Sequence, residues 1–168
     1  SAIMVINGQN GIEVGTEIHN RWADKTGKPM VIAINQLDHE KANFEKVVES
    51  IKERMGGAAV LVQFPVGVGA DFKGVIDLLT MKMYSFADGK TTVSDIPGDQ
   101  KDRADELRNE LIEKAAENDE QLMETFFEND TLTEDEMRKG IKAGLLQRGL
   151  FPVFCISALN DMGSGRLM

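Results

Sequence analysis

Three short apolar runs, each halted by a polar group, constrain this chain more than any other feature. Ala2-Ile3-Met4-Val5-Ile6-Asn7 stops at Gly8, Met30-Val31-Ile32-Ala33-Ile34 stops at Asn35, and Phe151-Pro152-Val153-Phe154-Cys155-Ile156 stops at Ser157. Continuous rather than alternating apolarity marks strands covered on both faces, the condition of a parallel sheet. Helical patterns separate the first two runs and follow the second. Thr16 offers a cap for a helix carrying Ile18 and Trp22 at i, i+4, which Gly27 and Pro29 end. Asn43 caps another with Phe44, Val47, Val48, Ile51 and Met55 on one face, closed by Gly56-Gly57. Strand, helix, strand, helix with short links is α/β grammar.

Between residues 58 and 150 the grammar changes. Ala59–Phe64 reads as a strand closed by Pro65, and Val75–Phe86, a turn at Asp88-Gly89 and Thr91–Ile96 read as hairpin material. Pro97-Gly98 breaks the chain before a helical block. There Leu107, Leu111, Ile112 and Ala115 make one stripe, and Leu122, Met123, Phe126 and Phe127 make another. Thr133 and Glu136 form a capping box for a last helix with Met137, Ile141 and Leu145 inward. The expectation is an α+β insertion at 58–150 between strands of a parallel sheet formed by 1–57 and 151–168.

Charge marks the insertion too. Residues 101–139 hold 14 Asp and Glu against 6 Lys and Arg, so −8 of the chain's net −9 lies there. An acidic whole argues against generic nucleic-acid binding. No apolar run approaches the ~20 residues of a membrane-spanning helix, and no basic-then-apolar leader opens the sequence. Ser1 at the start reads as an added residue or a cut. The single cysteine, Cys155, excludes an internal disulfide, suits a reducing cytosol, and is expected as core rather than nucleophile. His19 and His39 lack neighbouring ligands in the sequence, so no metal site is expected.

In an open α/β sheet, ligands bind beyond the carboxyl ends of the strands. Asn35-Gln36-Leu37-Asp38 and Ser157-Ala158-Leu159 both fall there. A carboxylate such as Asp38 can accept two hydrogen bonds from the N1 and N2 edge of guanine, Asn35 can brace its loop, and N–H groups of the Ser-Ala-Leu turn can donate to a purine O6. Either group alone is an ordinary loop; the pair at successive strand ends is more specific.

The stretches I-M-V-I-N-G-Q-N-G-I-E-V-G-T-E, A-I-N-Q-L-D-H-E-K-A-N-F-E-K-V-V, Q-F-P-V-G-V-G-A-D-F-K-G-V-I-D-L-L and P-V-F-C-I-S-A-L-N-D-M-G are spread over nearly the whole length of the chain. In them the sequence resembles the bacterial elongation factor G family of translational GTPases. The resemblance implies a partial P-loop GTPase-type sheet: residues 1–57 and 151–168 as the carboxyl half of the GTPase domain, and 58–150 as its inserted subdomain. It places Asn35, Gln36 and Asp38 on the Asn-Lys-x-Asp guanine motif, with Gln36 where the family has Lys, and Ser157, Ala158 and Leu159 on the second guanine motif. GTP or GDP is the implied ligand of the intact protein. No G-x-x-x-x-G-K-[ST] segment occurs, and no Mg2+ site or switch residue can be placed, so the chain alone is expected not to hydrolyse GTP.

The resemblance further implies a cytoplasmic partner, the ribosome, with the acidic helices meeting the stalk of its large subunit. A solvated acidic face is the plainer alternative. Other readings are a ribosome-interaction module whose nucleotide site is vestigial because of Gln36, or a ribosome-protection protein. An independent flavodoxin-like enzyme would need a phosphate loop of its own. Finally, Ala2–Asn7 is expected at a bare sheet edge, prone to self-association at Ile3, Met4, Val5 and Ile6, with Ile18 and Trp22 buried.

Overall fold

The computed structural model describes residues 1–87 and 89–167; Asp88, expected in a hairpin turn, lies outside the described residues. Two four-stranded sheets organise the chain. Strands β1 (Ala2–Asn7), β2 (Met30–Asn35), β3 (Ala59–Leu61) and β8 (Phe151–Cys155) form the first. Its order is β1-β2-β8-β3, and all its neighbours are parallel. The second is an antiparallel meander, β4 (Gln63–Val66), β5 (Gly74–Asp77), β6 (Lys82–Ala87) and β7 (Lys90–Ser94). Helices α1 (Val14–Thr26) and α2 (Phe44–Met55) are the crossovers of the first sheet. Helices α3 (Lys101–Ala116), α4 (Glu120–Asn129) and α5 (Glu134–Gln147) follow the meander, and a single turn, α6 (Ser164–Leu167), follows β8. The fold is therefore α/β with an antiparallel sheet and helices between strands of the parallel sheet.

The expected run Ala59–Phe64 is two strands. Ala59–Leu61 pairs with β8 in the first sheet, while Gln63–Val66 opens the second. Val62 is the hinge between them: its N–H donates to Val153 O at 3.1 Å and its carbonyl accepts from Leu78 N–H at 3.0 Å. Pro65 does not end the strand; it sits within β4, an edge strand, where a missing donor is tolerated. Val75–Phe86 is likewise divided, by a turn over Leu78–Met81 with Met81 left-handed at φ 51°.

One continuous core joins the sheets, with Ile6, Ile32, Ile34, Phe64, Ile76 and Leu78 at its centre. Helix α2 docks Phe44, Val47 and Ile51 there, each worth roughly 1.5–3 kcal/mol by area removed from water. Its Asn43 cap accepts from Lys46 N–H at 3.1 Å, as expected. Helix α1 differs. It starts at Val14 with Glu13 as cap, and Thr16 lies within the first turn, its Oγ1 accepting from Glu13 N–H at 3.3 Å. Its one fully buried residue is Ala23. Ile18 and Trp22 are exposed, 57% for Trp22, because the face they share has nothing packed on it.

The acidic helices have a small core of their own: Ile112, Ala116, Leu122, Leu132 and Met137. The Thr133–Glu136 capping box forms, with Thr133 N–H donating to Glu136 Oε2 at 2.8 Å. Gly140 and Gly144 make the tightest approach of α5: a Cβ at Gly140 would stand 2.4 Å from Ala115 O. Ile141 and Leu145 are only half-buried, and Phe127 projects from α4 at 75% exposure rather than joining the stripe.

Candidate nucleotide-base site

Register brings three strand ends level. Asn7 of β1 pairs with Asn35 of β2, and Ile34 pairs with Cys155 of β8, so the Asn7-Gly8, Asn35–Asp38 and Ser157–Asn160 loops leave the sheet side by side. Hydrogen bonds then lace them together. Gly8 N–H donates to Asn35 O at 2.8 Å, and a Cβ at Gly8 would also stand 2.8 Å from that oxygen, so the approach requires glycine. Asn35 Oδ1 accepts from Ala158 N–H at 2.9 Å. Asn160 Nδ2 donates to Asp38 Oδ2 at 2.8 Å. Residues 120 positions and more apart thus share one end of the sheet.

Each sequence-predicted residue has a definite place. Asn35 is half-buried and joins the two loops. Gln36 is exposed with φ 64°, and its Oε1 accepts from Asn7 Nδ2 at 2.7 Å. Leu37 is buried and anchors the loop beneath. Asp38 is half-buried, its Oδ2 engaged by Asn160. Ser157 is buried; its backbone exchanges two hydrogen bonds with Met162, 2.9 and 3.0 Å, closing a tight loop. Ala158 and Leu159 are exposed, Leu159 at 89%, at the rim of the site.

An ionised carboxylate only accepts, with about four lone-pair positions on two oxygens, so one bond from Asn160 leaves Asp38 room for further donors. In the exposed turn beside it the Ser157 and Ala158 N–H groups are already given to Met162 O and Asn35 Oδ1, which leaves the N–H of exposed Leu159 as the donor to a ligand. Acceptors on one loop and a donor on the next suit the edge of a purine carrying both N–H groups and a carbonyl. Asn7, Gly8 and Asn160 complete the lacing and were not singled out in the sequence. The signal for Asn7 was available, since it ends β1 as Asn35 ends β2.

Other titratable groups stand apart. Cys155 is fully buried and burial pushes its thiol well up, the state of an inert core cysteine. His19 is exposed on α1, with Nδ1 donating to Gly15 O at 2.6 Å, and His39 is half-buried beyond the Asp38 loop. No group of three or more His, Cys, Asp or Glu gathers as for a metal among the described residues. No helix among them is long and apolar enough to cross a membrane.

Among solved structures, a protein from Thermus thermophilus superposes with a TM-score of 0.87 at 24% identity, over 96% of this chain and 24% of that one. At that identity the likeness shows a shared fold, and the chain spans about a quarter of the other's length. The elongation factor Tu GTP binding domain matches residues 1–168. Matched from end to end, the chain belongs to that family of translational GTPase domains.

Proposed function

We propose that this chain recognises the guanine base in a translational GTPase of the elongation factor G kind, acting in ribosomal translocation in the cytoplasm. The observation that supports it best is the bond from Ala158 N–H to Asn35 Oδ1, which seats the two guanine-type loops against each other at the carboxyl ends of β2 and β8. Asp38 would accept from the N1 and N2 positions of guanine, and the Ser157–Leu159 turn would face O6 with the N–H of Leu159. The sequence contains no phosphate-loop motif, so its part is the base; phosphates and Mg2+ would be held by other residues of the intact protein. Residues 58–150, less the β3 strand Ala59–Leu61 that joins the parallel sheet, would serve as the inserted subdomain, its acidic helices α3–α5 meeting stalk proteins of the large ribosomal subunit.

Titration of the intact protein with GDP and xanthosine diphosphate tests the reading. Asp38→Asn presents an amide where a carboxylate accepted, so GDP affinity should fall about 100-fold and xanthosine diphosphate should gain, on ~1.5–3 kcal/mol per charged hydrogen bond. GDP binding unaltered by Asp38→Asn would show that the base is read elsewhere.

A further inference from the structure

Both base loops lean on the second sheet through buried or tightly packed contacts. Gly69, left-handed at φ 65°, donates to Leu37 O at 2.7 Å, beneath the Asp38 loop. Under β8, buried Gln63 accepts from Cys155 N–H at 3.4 Å through Oε1. Opposite Gln63 in the β4–β5 register stands Asp77, only 3% exposed. Its Oδ1 accepts from Leu79 N–H at 3.0 Å, Thr80 N–H at 2.9 Å and Thr80 Oγ1 at 3.2 Å. Its Oδ2 accepts from the Arg166 guanidinium, through Nε at 3.1 Å and through Nη2. The guanidinium also lies over the Tyr84 ring, 4.4 Å from its centroid. Arg108 of α3 fixes the same turn, donating to Leu78 O at 2.5 Å and Leu79 O at 2.8 Å.

Arg166 is close to the base site along the chain. The loop that starts at Ser157 is closed by Met162, and Gly163 follows at φ 78°, pressed so near Cys155 O that a Cβ would stand 2.4 Å away. The single turn Ser164–Leu167 then delivers Arg166 to Asp77. Little slack separates the ion pair from the loop. Asp77 is buried and Arg166 half-buried, and an ion pair taken even partly out of water repays its desolvation poorly compared with an apolar pair of the same volume, so stability alone does not account for it. What it supplies is a fixed geometry, two guanidinium donors on the one oxygen Oδ2, between the second sheet and the segment just after the Ser157–Leu159 turn.

We propose that Asp77 and Arg166 are positioning residues, a clamp through which the second sheet sets the Ser157–Leu159 turn against the O6 side of a bound guanine. The proposal rests on the guanine reading above. Asp38 has a second hold, through Leu37 and Gly69, besides its bond from Asn160, so loss of the clamp loosens the O6 side of the base more than the Asp38 side.

That division gives a test on the intact protein with three diphosphates: GDP, inosine diphosphate, which lacks the 2-amino group, and 2-aminopurine riboside diphosphate, which lacks O6 and the N1 proton but keeps the 2-amino group for Asp38. Arg166→Met should weaken GDP and inosine diphosphate together, by about five- to tenfold for one loosened hydrogen-bonding side, and weaken the 2-aminopurine nucleotide by clearly less. Asp77→Asn keeps an acceptor for Leu79 and Thr80 but drops the charge, and should give the same pattern where Arg166→Met does not fold. Arg166→Lys, a point charge without the fork, should restore part of the loss. Equal weakening of all three nucleotides, or none, overturns the clamp. Wild-type protein that binds none of them overturns the guanine reading, and the clamp with it; wild-type binding that the variants leave intact overturns the clamp alone.

Discussion

In the base-binding loop proposed above, Gln36 departs from the Asn-Lys-x-Asp pattern, and its backbone is as unusual as its side chain. At φ 64° it occupies the left-handed region, where a non-glycine residue costs ~1–2 kcal/mol. The loop fixes it there: His39 N–H donates to Gln36 O at 3.1 Å, and Asn7 Nδ2 donates to the side chain. A lysine would bear the same backbone cost, so Gln36→Lys compares side chains alone. It gives up one exposed neutral hydrogen bond and offers a charged one toward the phosphate side. In the intact protein, GTP affinity should rise by about tenfold, the difference between ~0.5–1.5 and ~1.5–3 kcal/mol. Unchanged affinity and turnover would mean that this position does not limit nucleotide use. At this scale the sequence was partly legible. Asn35, Asp38 and Ser157 stood out because polar residues follow apolar runs. Asn7, Gly8 and Asn160 did not, because a hydrogen bond spanning 122 residues, as between Asn160 and Asp38, leaves no periodic trace.

Helices and strands were legible where one face meets a core. The 3.6-residue stripe of α2 is buried as its pattern requires. The Ile18–Trp22 pair of α1 showed a common face, but spacing carries no information on whether anything covers that face. The turn over Leu78–Met81 was hidden for another reason: it contains neither glycine nor proline, and Asp77 holds it through Leu79 and Thr80. Caps were better marked, and they yield a pH prediction. Asp119 caps α4, and hydrogen bonds from Leu122 N–H first, then the Lys139 side chain, hold its carboxyl below the usual range. Glu136 is lowered by the Thr133 N–H and then the Thr133 hydroxyl. Depressed carboxylates contribute stability that is present above their ordinary values and lost as pH falls through the lowered ones. Acid should therefore fray α4 and α5 below about pH 4. Circular dichroism should show this fraying reduced in Asp119→Asn, which still caps but no longer titrates. An acid transition identical in wild type and in an Asp119→Asn, Glu136→Gln double variant would remove these caps from the account.

The whole molecule sets an apolar edge against a strong net charge, and the two act in opposite directions. β1 ends the first sheet, with Ile3 58% and Val5 56% exposed. Beside it an open groove of about 460 Å3 runs between β1 and α1, with Trp22 at its rim. An unpaired strand edge flanked by apolar side chains is a template for a second copy. Against this, every copy carries −9, most of it within residues 101–139. The tethers Lys52–Glu110, 2.7 Å, and Arg103–Glu45, 2.5 Å, are exposed pairs that barely change the long-range repulsion. Repulsion between like-charged copies is screened over ~10 Å at 0.1 M salt, while apolar edge pairing is not weakened by salt. Self-association of this 168-residue chain should accordingly rise with ionic strength, the reverse of an association driven by opposite charges. Light scattering over a salt series is the measurement, with Ile3→Lys and Val5→Lys as variants that charge the edge without touching the core. Both should hold the chain monomeric at salt concentrations where wild type associates. A wild-type chain that stays monomeric at high concentration throughout the series, or one that dissociates as salt is added, would rule out β1 as the contact.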